Sequence, residues 1–144
     1  MAASIRLLLV DDEERFVETL SKRLKERGVD VTPALSGNEA LKIMEEKLFD
    51  VVILDVKMPG LDGVETLREM KRSWPLVEVL MLTGHASVDS AIEGMRLGAF
   101  EYLMKPIEIE VLMTKLEQAY EKKSAHEEKI RQAEVDEIIR RSPG

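Results

Sequence analysis

The chain has no cysteine. That excludes a disulfide framework and a thiolate metal site, and it suits a reducing compartment, so a cytoplasmic location is expected. No segment approaches the ~18 consecutive apolar residues of a membrane-spanning helix. The amino-terminal MAASIRLLLVDDEE meets acid directly after its apolar run, so it does not read as a secretory signal. Basic side chains are in the minority, with 21 Lys and Arg against 28 Asp and Glu and a net charge of -7. This balance argues against direct binding to nucleic acid or an anionic membrane, because phosphates are attracted by clustered cations. The deficit lies wholly in residues 1–120, which carry 22 acids and 15 bases, whereas residues 121–144 carry six of each. Any cation site is therefore expected in the body. Internal repeats and low-complexity tracts are also missing.

What is present is an alternation of two patterns. At 144 residues, 44% hydrophobic and 34% charged, the chain has the make-up of one soluble globular domain. Such a chain can bury roughly 70% of its unfolded surface. Residues 5–10 (IRLLLV), 29–34 (VDVTPA), 51–55 (VVILD), 76–83 (LVEVLMLT) and 100–104 (FEYLM) read as strands, the second an edge strand because of Pro33. Between them apolar residues recur at helical spacing. Phe16, Val17, Leu20 and Leu24 mark the first helix, which Gly28 stops, and Ala40, Leu41, Met44 and Leu48 mark a second, opened by the capping box at Ser36 and Glu39. A third starts at Asp62 and Gly63, carries Val64, Leu67 and Met70, and runs into Trp74 and Pro75. Ser87 caps a fourth with Val88, Ile92 and Met95, and Ile109, Leu112, Met113, Leu116 and Tyr120 lie on a fifth. Five strands alternating with five helices imply right-handed βαβ units. The fold class expected is α/β: a doubly wound, flavodoxin-like, five-stranded parallel sheet in the order 2-1-3-4-5, with helices on both faces.

Five polar residues fall at one edge of such a sheet. Asp11 and Asp12 follow the first strand, Asp55 ends the third, Thr83 ends the fourth and Lys105 follows the fifth. In this strand order the three carboxylates meet in one crevice, where like charges repel unless one protonates or a cation sits among them. An all-oxygen site of this kind favours Mg²⁺. A divalent ion, an ammonium and a hydroxyl around a carboxylate make an arrangement for placing a phosphoryl group on that carboxylate, and Asp55 is the candidate nucleophile.

The segments LLLVDDE, VVILDVKMPGLDG, VLMLTG and GAFEYLMKP, in this order and spacing, closely resemble the receiver domain of a two-component response regulator, over about residues 4–120. The resemblance implies that Asp55 accepts a phosphoryl group from the phosphohistidine of a sensor histidine kinase or phosphotransfer protein. It further implies that Asp11, Asp12, Asp55 and the main-chain carbonyl of Lys57 hold Mg²⁺, and that Lys105 pairs with a phosphoryl oxygen. Thr83 would bond another oxygen and draw in the following loop while Tyr102 changes rotamer, and the Lys105–Pro106 peptide would be cis. The resemblance also places His85 and Lys57 at positions that vary among receivers, where they would tune acyl-phosphate lifetime. Such a domain catalyses its own phosphorylation and dephosphorylation without being a conventional enzyme.

The output is the open part. One reading is a receiver that switches a face on the fourth helix, fifth strand and last helix toward a downstream protein or a second copy. An alternative is a receiver fragment of a longer DNA-binding transcription regulator. A phosphatase of the haloacid-dehalogenase type also uses an aspartyl nucleophile and Mg²⁺. That family, however, places its acids as D-x-D, whereas Asp11 and Asp12 are adjacent. Residues 121–144 read as a charged helical extension or linker, with a dimerising or partner-docking helix as the alternative.

Overall fold

A computed structural model describes residues 4–56, 62–84 and 87–142. The strands are β1 (Arg6–Val10), β2 (Asp30–Ala34), β3 (Val51–Leu54), β4 (Glu78–Thr83) and β5 (Glu101–Met104). They form one parallel sheet in the order β2-β1-β3-β4-β5, as expected. The helices alternating with them are α1 (Glu14–Glu26), α2 (Gly37–Glu46), α3 (Gly63–Ser73), α4 (Val88–Arg96) and α5 (Ile109–Arg141).

The central strands are continuous apolar runs because both of their faces are covered. Leu8, Val10, Val52, Leu54, Val79 and Met81 point to one side, where Ala40, Met44, Leu67 and Met70 of α2 and α3 close the core. Leu7, Leu9, Val51, Ile53, Leu80 and Leu82 point to the other, against Val17, Leu20 and Leu24 of α1 and Leu112 and Leu116 of α5. Local chemistry fixes the helix starts. Ser36 Oγ accepts from the Glu39 N–H while Glu39 Oε2 accepts from the Leu35 N–H. Asp62 and Ser87 cap α3 and α4 by accepting from the Glu65 and Ser90 N–H groups. Gly28 ends the turn after α1 at φ +86°, a conformation that favours glycine.

Three features depart from the sequence reading. Leu48 is 71% exposed, because α2 ends at Glu46 with Lys47 extended as its C-cap, and Phe49 enters the core instead. Val88, Ile92 and Met95, which share helical spacing on α4, are exposed rather than packed, and the α4 residue that is buried is Gly94. Helical spacing identifies an amphipathic face without saying what covers it. Finally, β4 begins at Glu78 and not at 76, with the Glu78 side chain itself buried. The last helix, α5, runs on without a break to Arg141.

Candidate functional site

Each candidate residue sits where a strand delivers it to the carboxyl edge. The Asp55 N–H donates to the Val10 carbonyl at 3.0 Å and the Asp11 N–H to the Ala34 carbonyl at 3.1 Å, so ladder bonds of the sheet run on into the site. The Lys105 N–H donates to the Thr83 carbonyl at 2.8 Å, which joins the ends of β4 and β5 in the same way. The Lys105–Pro106 peptide is cis.

Asp11 and Asp55 are 1% and 2% exposed, and Asp12 stands beside them in solvent. One ligand atom from each of the three lies within 4.8 Å of the others. Lys105 Nζ reaches Asp11 Oδ2 at 2.7 Å and Glu13 Oε1 at 3.6 Å, and it stands 3.9 Å from the centroid of the Phe16 ring. Asp11 Oδ1 accepts from the Glu13 N–H at 2.9 Å. Burial pushes the Asp11 carboxyl above its ordinary range, against the hydrogen bonds from Lys105 and Glu13, and the neighbouring Asp55 charge pushes the same way. Burial alone would lower the Lys105 ammonium, but the Asp11 hydrogen bond and the surrounding acids hold it above its usual value.

Three close carboxylates facing one lysine fit a hard divalent cation, since oxygen donors and uncompensated negative charge are what such an ion needs. Thr83 is fully buried at the end of β4. Tyr102, opposite Met81 on β5, packs against the α2 and α3 side of the core, and its buried hydroxyl has no hydrogen-bond partner among the described residues. Lys57 and His85 lie outside the described residues. From sequence Phe16 reads only as part of the first helix, yet it and Glu13 both hold the Lys105 head. Their offsets of two and five residues from Asp11, at the start of α1, are the signal that was available.

Residues 7–117 match the model of the response regulator receiver domain. The chain belongs to that family. Its function is that of a receiver in phosphorylation-based signalling, with the self-phosphorylation and dephosphorylation typical of such domains. Transcriptional regulatory protein ZraR of Escherichia coli K12 is 39% identical over 116 residues, covering 81% of this chain and 26% of ZraR. The receiver therefore spans about a quarter of the length of the curated relatives it matches. Among solved structures, a response regulator receiver domain protein of Clostridium thermocellum is 39% identical with a TM-score of 0.80, covering 84% of this chain and 98% of that one. The BeF3-activated DrrB receiver domain is 30% identical with a TM-score of 0.73, covering 82% of this chain and 98% of that one. No described helix is long and apolar enough to cross a membrane.

Proposed function

We propose that Asp55 is the phosphoacceptor, supplied by the phosphohistidine of a sensor histidine kinase or phosphotransfer protein. The observation that carries this reading is the convergence of Asp11, Asp12 and Asp55 beside Lys105 at one strand edge. An Asp55 carboxylate oxygen attacks phosphorus, forming an O–P bond as the P–N bond breaks, and the departing imidazole keeps the electron pair. Asp11 and Asp12, with Asp55 and the Lys57 carbonyl, would hold Mg²⁺. Bound there, the ion supplies charge neutralisation to the transferring phosphoryl oxygens. Lys105, aimed by Asp11 and propped by Phe16, turns part of its charge to a phosphoryl oxygen, and Thr83 donates its hydroxyl to another. The Thr83 movement releases Tyr102 to change rotamer and alters the neighbouring surface.

In this reading residues 1–120 are the phosphoacceptor unit and residues 121–144 an extension. The signalling face is α4, β5 and α5, supported by the exposed Val88, Ile92, Met95, Met104 and Val111, and it meets a downstream protein or a second copy. A second output, control of a DNA-binding regulator of which this receiver is one part, is favoured by the kinship with ZraR and the small share of it covered. The acidic body of the receiver disfavours direct contact with nucleic acid.

With acetyl phosphate as donor, phosphoryl incorporation is expected to fall on the order of 100-fold when Mg²⁺ is chelated and to recover on its return. Incorporation indifferent to the chelator would contradict the metal assignment. Lys57→Ala and His85→Ala are each expected to alter the dephosphorylation rate in the same assay, and unchanged rates for both would remove their tuning role.

A further inference from the structure

The buried face of α5 does not end where its apolar residues do. Ile109, Leu112, Leu116 and Ala119 are buried at alternating steps of three and four, and the next step falls on Lys123, which is 5% exposed. A lysine in a core position needs partners. Lys123 Nζ lies 2.9 Å from Asp50 Oδ1 and 3.1 Å from Glu127 Oε1. Asp50 is itself buried just before β3, and it also takes both the side chain and the backbone N–H of Arg6 in β1. The adjacent Lys122 reaches the buried Glu78 at the start of β4, with Oε2 at 3.4 Å, and lies 5.6 Å from the Phe100 ring centroid. Lys71 approaches the other Glu78 oxygen at 3.9 Å.

The two acids thus stand at the amino ends of β3 and β4, the strands whose carboxyl ends carry Asp55 and Thr83. Beyond Lys123, among the described residues, α5 has no further buried side chain and is braced by local pairs such as Gln132 with Asp136 and Arg141 with Glu137. A solvated helix of that length is marginal when it must nucleate alone, and one that continues a packed helix does not pay that nucleation cost.

We propose that Lys122 and Lys123 form a latch that clamps the outgoing helix to the amino-terminal edge of the sheet, so that α5 leaves the domain as a stiff lever in a set direction. The ion pairs act here by fixing geometry, the use for which buried pairs are best suited. Lys123 is a positioning residue, remote from the phosphoacceptor chemistry, and the latch holds whichever carboxylate takes the phosphoryl group.

The absence of native cysteine makes the test direct. Spin labels at Lys22→Cys on α1 and Ala133→Cys on the extension, both exposed, are expected to give one narrow distance distribution in the full chain. Adding Lys122→Ala and Lys123→Ala, which keep helix propensity, is expected to broaden it by about twofold and to speed amide exchange beyond residue 123 by about tenfold. Exchange across residues 109–119 and uptake from acetyl phosphate stay as in the parent. Lys122→Ala alone, at a half-exposed site, broadens the distribution by a smaller, measurable amount, so the test does not depend on the folding of the Lys123 variant. A broad distribution in the parent, or an unchanged width in the variants, would overturn the latch.

Discussion

Gly63→Ala is expected to damage both stability and phosphoryl uptake more than any other single-methyl change at a described glycine. A Cβ at Gly63 would lie 2.1 Å from the Asp55 carbonyl oxygen and 2.5 Å from the Val56 Cα, both backbone atoms that no rotamer change can move aside. The Gly63 N–H also donates to the Val56 carbonyl at 2.8 Å, so α3 starts directly against the end of β3. Inserting a methyl group into a packed site typically costs about 1–3 kcal/mol, and a backbone obstacle places this one at about 3 kcal/mol or beyond. Relief requires the end of β3 and the start of α3 to move apart, which disturbs the backbone that carries Asp55. Misplacing a reacting group by about 1 Å is worth roughly 100-fold in rate. Thermal unfolding and the rate of uptake from acetyl phosphate together check this. Gly94→Ala is the control, because its Cβ meets the Met81 sulfur at 2.5 Å, part of a flexible side chain. It is expected to cost about 1 kcal/mol and leave uptake intact.

Asp50→Asn is the second large effect, and it acts at the opposite end of the same strand. Burial would raise the Asp50 carboxyl, but the hydrogen bonds from Arg6 and Lys123 overcome it and bring the group down to about 2. Removing its charge leaves Arg6 and the buried Lys123 short of their shared partner, a loss of roughly 3 kcal/mol at neutral pH by the usual cost of breaking a buried pair. The pH dependence has a definite sign. The folded carboxyl titrates below its ordinary value of 3.8, so its contribution is complete above that value and is lost as pH falls through about 2. The shift corresponds to about 2 kcal/mol. Urea unfolding from pH 7 down to about 2 is therefore expected to show wild type and Asp50→Asn converging in the acid, with the gap closing below about pH 4. A gap that is constant across this range would contradict the assignment.

These two positions mark what the sequence could and could not convey. Asp11, Asp55, Thr83 and Lys105 are legible because each closes a strand-like run, and strand order alone brings such ends together. Val88, Ile92 and Met95 mislead because periodicity finds an apolar stripe but not its cover, and on α4 much of that stripe faces solvent. No local pattern singles out Asp50, and Lys123 is one more charge in a charge-balanced stretch. Their pairing spans 73 residues and depends on α5 running past the end of the sheet, which no local pattern encodes. Phe16 is similar, since its spacing places it on α1 but does not bring Lys105 over its ring. Gly63 carries no sequence signal for the close approach to Asp55 beyond following the helix cap at Asp62.

In the proposed function this receiver takes its phosphoryl group on Asp55 with the help of Asp11, Asp12 and Lys105. The most direct measurement is the intact mass of the protein after incubation with Mg²⁺ and acetyl phosphate, for wild type and for Asp55→Asn. A mass increase of one phosphoryl group is expected in the wild type and none in the variant, with both proteins folded. Labelling that persists undiminished in Asp55→Asn would contradict it.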